Sequence, residues 1–223
     1  MTYPSPPWTL KGLALQTLQL VDRATARPFV PPELDIVSVL PGKTLGGVYL
    51  SYYGEGSDLV YSELIVIPAL TRYKTKLGFW VSHIYVDNAD SLAGGHEIWG
   101  LPKEMAQFDW QTGEQTQVTV SQGGRVLCSL QGGRQQNLWR MPISNPVFSL
   151  LNGDLLQFMG SFNARFGLSK GRVDVPAESP FAALGLGREA RTLHHNDMRF
   201  VANAPKVIRP ALVGAEVHTG TQS

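Results

Sequence analysis

The stretch LVYSELIVIPAL, from Leu59 to Leu70, is an apolar run rich in Val, Ile and Tyr that contains one charged residue, Glu63. Runs of this composition are typical of β-strands. Two similar runs flank it, GGVYLSYY (46 to 53) and GFWVSHIYV (78 to 86), and the linkers GEGSD and TRYKTKL separate the three. The sequence therefore predicts neighbouring strands that are joined as hairpins.

The remaining sequence extends this pattern. LALQTLQLV (13 to 21) alternates apolar and polar residues, and TQVTVS and RVLCSL read as two further strands around a turn at Gly123-Gly124. Helices are fewer: one is expected to begin near Asp22, and NADSLAGG is expected to form a short turn capped by Asn88 or Asp90. PVFSLLNGDLLQFMG fits either a helix or a strand. These patterns predict a mainly β (α+β) fold.

Length and charge limit the possible functions. The chain has 223 residues, with 19 Lys and Arg against 18 Asp and Glu. We expect a single domain over residues 1–223, with the last ten residues, GAEVHTGTQS, polar enough to fray. No basic surface for nucleic acid is indicated, and the longest apolar runs are too short for a membrane span. The amino end lacks the features of a secretory signal, so a cytoplasmic location is expected.

The cysteine and histidine residues do not indicate a redox or metal centre. Cys128 is the only cysteine and lies in the apolar run RVLCSL, where it is expected to be a small buried hydrophobic residue. His194, His195 and Asp197 form the only histidine cluster. Adjacent residues of a strand point to opposite faces, so the two histidines are not expected to bind one ion, and we predict no metal.

Lys103 is the most unusual ionisable residue, because it lies in the apolar segment GGHEIWGLPKEMAQF (94 to 108). An apolar pocket lowers the pKa of a lysine by penalising its charged form, and a neutral amine can attack a ketone to form an iminium. The alternative is a lysine whose stem lies along apolar neighbours while its amine stays in water. The residues alone leave both open.

The order of YSELIVIPA and HIYVDNADSLAGGHEIWGLPKEMA resembles the acetoacetate decarboxylase family, from about Gly46 to Phe108, and PFVPPELDI fits the same family. The resemblance implies a closed, cone-like antiparallel β-barrel with a few peripheral helices, an internal cavity and assembly as a homo-oligomer. It places Lys103 at the family's Schiff-base lysine and Glu63 at its pocket carboxylate.

The sequence departs from the family pattern at four positions. Glu104 replaces a second lysine, and an ungapped comparison puts Leu13 and Val48 where the family has an arginine and a second acid. His96 replaces the arginine of the family's "G-R-E" motif. Together with Glu97, it is expected to hold the shape of a loop after a tight Gly94–Gly95 turn.

The resemblance implies a lyase that forms a Schiff base with a small keto acid and acts by decarboxylation, or by aldol or dehydration chemistry. Lys103 would form the iminium and Glu63 would orient the substrate and move a proton, without a cofactor. Tyr85 and Trp99 are candidates for lining the substrate cavity. The alternative is a non-catalytic barrel that binds an apolar molecule such as a lipid or pigment, with Lys103 only paired to Glu104 or Glu63.

Overall fold

The computed structural model describes residues 3–113, 115–187 and 189–211, and within these parts fifteen strands form one mainly antiparallel sheet. The strands are β1 Trp8–Asp22, β2 Asp35–Ile36, β3 Lys43–Tyr53, β4 Tyr61–Ile67, β5 Ala69–Tyr73, β6 Lys76–Trp80, β7 His83–Val86, β8 Lys103–Met105, β9 Gln107–Gln111, β10 Gln117–Gln122, β11 Arg125–Gln131, β12 Gln136–Leu151, β13 Asp154–Asp174, β14 Glu189–Ala202 and β15 Lys206–Arg209. The helices are α1 Arg23–Ala26 and α2 Ala89–Trp99, with 3-10 turns at Arg27–Phe29 and Ala182–Leu184. The ten terminal residues expected to fray lie outside the described residues.

The sheet is mainly β with few helices, as predicted, but it is not closed into a barrel. Its hydrogen-bonded path runs from β2 through β5, β6, β12, β13, β14, β1, β3, β4 and β7 to β8, while β9, β10 and β11 form a branch from β13. Ala106 separates β8, which pairs with β7, from β9, which pairs with β10, so the ladder is interrupted where the partners change. The expected closed, cone-like antiparallel β-barrel is therefore wrong: the sheet is open, and two of its strand pairs, β6 with β12 and β7 with β8, are parallel.

The predicted central strands are present, but two of them are each divided. The run from Leu59 to Leu70 is split at Pro68 into β4 and β5, since proline cannot donate a ladder hydrogen bond. The run from 78 to 86 is likewise split into β6 and β7. β5 and β6 form the expected hairpin, with Lys74 in its turn at a φ of 53°.

The ambiguous segment PVFSLLNGDLLQFMG is a β-hairpin. β12 and β13 pair along almost the whole of β12, from Gln136 opposite Leu168 to Leu151 opposite Asp154. The two-residue turn consists of Asn152 and Gly153, with φ values of 51° and 86°. An Asn-Gly pair accepts these positive angles with little strain, so this dipeptide favours the hairpin over a helix.

The helices differ from prediction in length. The expected helix after Asp22 is only α1 and the following 3-10 turn, in which Pro28 follows Arg27. The predicted short turn at NADSLAGG is the first part of α2, which continues to Trp99, so the predicted Gly94–Gly95 turn is wrong. No helix in the described parts of the chain is long and apolar enough to cross a membrane.

Two hydrophobic clusters form the core. One contains Leu64, Tyr85 and the buried Cys128, which confirms the prediction for the cysteine. The other contains Ile84 and Trp99 and surrounds the candidate site. Successive residues of a strand point to opposite sides of the sheet, so Ile84 and Tyr85 belong to different clusters.

Candidate active site

Lys103 is buried at the start of β8, with only 5 % of its surface exposed. Gly100 caps the C-terminus of α2 with a φ of 59°, the left-handed conformation that commonly terminates helices, and the chain then turns into β8. The amine Nζ lies 2.8 Å from Oε1 of Glu63 and donates to Oγ of Ser91 over 2.9 Å. The amine is thus held by two oxygens inside the protein and does not extend into water.

Glu63 approaches Lys103 from the middle of β4. It lies between Ser51 on β3 and Val86 on β7 in the sheet, and only 4 % of its surface is exposed. A buried carboxylate is costly unless it is paired, and Lys103 provides the partner. The structure therefore brings together the two residues that the resemblance placed in the site.

Ser91 is a third member of the site that the sequence reasoning missed. Asn88 caps α2, and its Oδ1 accepts hydrogen bonds from the backbone N–H groups of Asp90 and Ser91. The cap fixes the first turn of the helix and so directs the Ser91 hydroxyl toward Lys103. Of the two predicted caps, Asn88 is confirmed. This cap was the one feature of the sequence that could have indicated a fixed position for Ser91.

Gly95 makes room for the lysine stem. A Cβ at this position would lie 2.4 Å from Cδ and 2.7 Å from Cε of Lys103. On the same helix, a Cβ at Gly94 would lie 2.6 Å from the Trp8 ring. The glycine pair therefore permits close packing of α2 on the site.

Aromatic rings surround the amine. Nζ of Lys103 lies 5.0 Å from the ring centroid of Tyr61 and 5.9 Å from that of Trp8, distances at which a cation interacts favourably with a ring. The hydroxyls of Tyr49 and Tyr53 are 3.3 Å apart. Burial raises the pKa of Tyr49, Tyr53 and Tyr61, and the charge of Glu63 raises each further, so these hydroxyls remain protonated.

The amine and the carboxylate face a cavity of about 100 Å³. Its wall is mostly apolar and aromatic, and Lys103 and Glu63 are its only charged lining residues among the part of the chain described. Trp99 lines it, as predicted, and donates its indole N–H to the carbonyl of Asn203 over 2.9 Å. Tyr85 is buried on the opposite side of the sheet and does not line it.

The departures from the family pattern can now be located. Glu104 is exposed and accepts a hydrogen bond from Gln122, so its side chain points away from the cavity. His96 donates from Nε2 to the backbone carbonyl of Lys103 over 2.7 Å and so holds the start of β8. Neither Leu13 nor Val48 lines the cavity, whereas Gln16 and Tyr49 on the same two strands do.

The two adjacent histidines have different partners. His194 Nε2 lies 2.8 Å from Ser169 Oγ, and His195 Nε2 lies 3.0 Å from Gln16 Oε1. Burial lowers the pKa of both rings, to about 3 for His195, so both are neutral near pH 7. Among the residues described, no group of three or more His, Cys, Asp or Glu could hold a metal ion.

The fold and the site together define a class of protein. Its members are mainly β and carry a buried lysine–carboxylate pair beside an apolar cavity. The sequence pattern of the family described as Acetoacetate decarboxylase (ADC) matches residues 2–151. The chain belongs to the acetoacetate decarboxylase family.

Relatives by sequence match only part of the chain. The protein NEOXANTHIN-DEFICIENT 1 from Arabidopsis thaliana is 36% identical over 106 residues, which are 48% of this chain and 37% of that protein. An acetoacetate decarboxylase from Acidiphilium cryptum is 38% identical over 61 residues, which are 27% of this chain and 24% of that enzyme. The chain thus matches little more than a third of the length of the plant relative and about a quarter of the bacterial enzyme.

Solved structures share the fold over nearly the whole chain. Acetoacetate decarboxylase from Legionella pneumophila superposes with a TM-score of 0.74 at 16% identity, covering 93% of this chain and 89% of that chain. The enduracididine biosynthesis enzyme MppR, solved with pyruvate, gives a TM-score of 0.68 at 15% identity, covering 92% and 91%. At these identities the likeness establishes the fold alone.

Proposed function

We propose that the protein is a lyase in which Lys103 forms a Schiff base with a small keto acid and Glu63 transfers protons. The observation that supports this most directly is the contact of 2.8 Å between Nζ and Oε1 in a cavity where both side chains are buried. Two charges in an apolar site are poorly solvated, and moving one proton from Nζ to Oε1 leaves two neutral groups. The lysine becomes a nucleophile in that state.

The reaction can be balanced with these two groups. The amine attacks the ketone carbon, the carbonyl oxygen takes a proton, and protonated Glu63 donates a proton as water leaves, which produces the iminium. In a β-keto acid, the bond to the carboxylate breaks, its electrons enter the iminium, and carbon dioxide and an enamine form. Glu63, which is ionised after water leaves, takes up a proton from solvent and supplies it to the enamine carbon. Water then hydrolyses the resulting iminium, which releases the ketone and restores the amine.

An aldol or dehydration route would begin with the same iminium. Removal of a proton beside the iminium carbon of an α-keto acid gives an enamine that can add to an aldehyde. The fold-level neighbours include an acetoacetate decarboxylase and an enzyme solved with pyruvate, so both types of keto acid are reasonable test substrates.

The cavity volume supports a small substrate over a pigment or lipid. Pockets for drug-sized ligands measure roughly 300–1,000 Å³, whereas this cavity measures about 100 Å³. The plant relatives' name refers to neoxanthin, but a long apolar pigment would exceed this space.

Borohydride trapping tests the proposal. The protein is incubated with acetoacetate or with pyruvate, reduced with borohydride, digested and analysed by mass spectrometry. The expected result is a covalent adduct on Lys103 with at least one keto acid. The absence of an adduct with either acid, from protein shown to be folded, would refute the Schiff-base chemistry and favour the binding protein.

Lys103→Arg is the matched control, since arginine keeps the positive charge but does not form the iminium. It should give no adduct. An adduct of equal yield in this variant would show that the trapped amine lies elsewhere in the chain.

A further inference from the structure

Gln16 on β1 lines the cavity, and a hydrogen bond to a residue outside the cavity lining fixes the orientation of its side-chain amide. Oε1 lies 3.0 Å from Nε2 of His195, which is on the neighbouring strand β14. Within the described residues, the amide nitrogen of Gln16 makes no hydrogen bond to protein. The acceptor end of the amide is thus occupied, and the donor end remains for a molecule in the cavity.

His195 is built to donate to Gln16. The ring is 2 % exposed and packs edge-on against Tyr49 and Phe166, with centroid distances of 5.7 and 4.9 Å. Its Nδ1 has no hydrogen-bond partner, so the proton of the neutral ring is better placed on Nε2, which faces Oε1 of Gln16. Because burial lowers its pKa to about 3, the ring keeps a single proton at neutral pH.

We propose that the amide nitrogen of Gln16 binds the carboxylate of the keto acid, and that His195 is a positioning residue that holds the amide in this donating orientation. The inference rests on the proposed function, since it identifies the group that recognises the part of the substrate not attached to Lys103. Glutamine supplies two N–H donors on one nitrogen, and a hydrogen bond to an ionised acceptor is stronger than one between neutral groups.

A neutral donor is sufficient because the reaction supplies the balancing charge. The Lys103–Glu63 pair has no net charge before the substrate enters, and the substrate adds one negative charge. When the iminium forms and Glu63 is protonated, the positive nitrogen balances the carboxylate. A neutral amide also stabilises the bound carboxylate less than an arginine would, so it opposes the loss of carbon dioxide less.

Propionate is the probe, because it has a carboxylate but no ketone and therefore cannot form the iminium. Its dissociation constant is measured by NMR titration. Gln16→Leu should weaken binding about tenfold to a hundredfold, the range for lost hydrogen bonds to a charged group. Asn145→Leu, which replaces the amide that lines the cavity from β12, is the matched control and should change the affinity little.

The positioning role is tested with two variants of His195. His195→Phe keeps an aromatic ring but loses the donor, so the Gln16 amide can rotate and propionate should bind more weakly. His195→Gln restores an N–H near the same place and should recover the affinity, a rescue that loss of packing alone would not give.

Lys103→Met/Glu63→Gln removes both charges and separates recognition by Gln16 from attraction to the lysine. Propionate should still bind to this variant with an affinity that depends on Gln16. The inference is overturned if the parent protein does not bind propionate, if Gln16→Leu binds it equally well, or if binding is lost with Lys103. Trapping of a keto acid on Lys103 is independent of these results, so either proposal can fail without the other.

Discussion

Gly95→Ala separates the chemistry of the site from the stability of the fold. The added Cβ would lie 2.4, 2.7 and 3.0 Å from Cδ, Cε and Cγ of Lys103. These atoms are in the middle of a side chain whose amine is held by Glu63 and Ser91. The stem must therefore take another rotamer, and the amine must leave its present position.

The two effects on stability act in opposite directions. Alanine in place of glycine favours a helix by up to about 1 kcal/mol, whereas overpacking a core costs about 1–3 kcal/mol. These two effects together should lower the free energy of unfolding by at most about 3 kcal/mol. The rate of adduct formation should fall about a hundredfold, because a displacement of roughly 1 Å of a reacting group can lower a rate by that factor.

Urea denaturation gives the free energy of unfolding, and the rate of borohydride-trapped adduct formation gives the chemistry. Gly94→Ala is the matched neighbour, since its Cβ would meet the Trp8 ring instead of Lys103. It should lower stability but affect trapping less than Gly95→Ala. A Gly95→Ala protein that forms the adduct at the parent rate would refute the assigned position of the lysine.

Two further predictions concern stability. Lys103→Met should lower the free energy of unfolding by about 3–5 kcal/mol, because it leaves Glu63 buried without its partner, whereas Lys103→Met/Glu63→Gln should recover most of that loss in urea denaturation. His195 has a pKa of about 3 in the folded protein against 6.5 in the reference state, so the unfolded chain binds the extra proton between these values. The contribution of His195 to the free energy of unfolding should be constant above about pH 7, and at about pH 5 it should be about 2 kcal/mol smaller. His195→Phe should remove most of this dependence, and an unchanged pH profile would contradict the burial of the ring.

The central strands and the two charged site residues could be predicted from sequence for a physical reason. A charge is expensive in a buried strand, so Glu63 within LVYSELIVIPAL already indicated a partner, and Lys103 in an apolar segment indicated the same. In the structure Leu64 belongs to one hydrophobic cluster, while its neighbour Glu63 faces the cavity on the other side of the sheet. The contact between the two charges needed the resemblance, since their residues are far apart in sequence.

Other members of the site were missed because no local pattern marks them. Gln16 lies in an alternating strand where a polar residue usually indicates the solvent side, but here that side of β1 faces the cavity. Which side of β1 faces the cavity depends on its pairing with β14 and on the pairing of β14 with β13, and these contacts join residues far apart in sequence. Tyr85 illustrates the same difficulty, because a shift of one residue along β7 moves a side chain from the cavity to the other cluster.

The hairpin of β12 and β13 could have been predicted. The segment was ambiguous by apolar content, but Asn152-Gly153 is a strong turn signal between two apolar runs. The open sheet could not be predicted, because no sequence pattern marks the change of hydrogen-bond partner at Ala106, between β8 on β7 and β9 on β10.

The glycine-broken segment before Lys103 explains why a single stretch of chain can define most of the site. The capped first turn of α2 supplies Ser91, the next turn supplies the space at Gly95, and His96 holds the backbone carbonyl of Lys103. Glu63, Gln16 and the aromatic wall come from distant strands. Since the contacts that position the lysine backbone and stem are local, the lysine can be directed into the cavity once α2 forms, and the sheet adds the carboxylate, the Gln16 amide and the apolar wall.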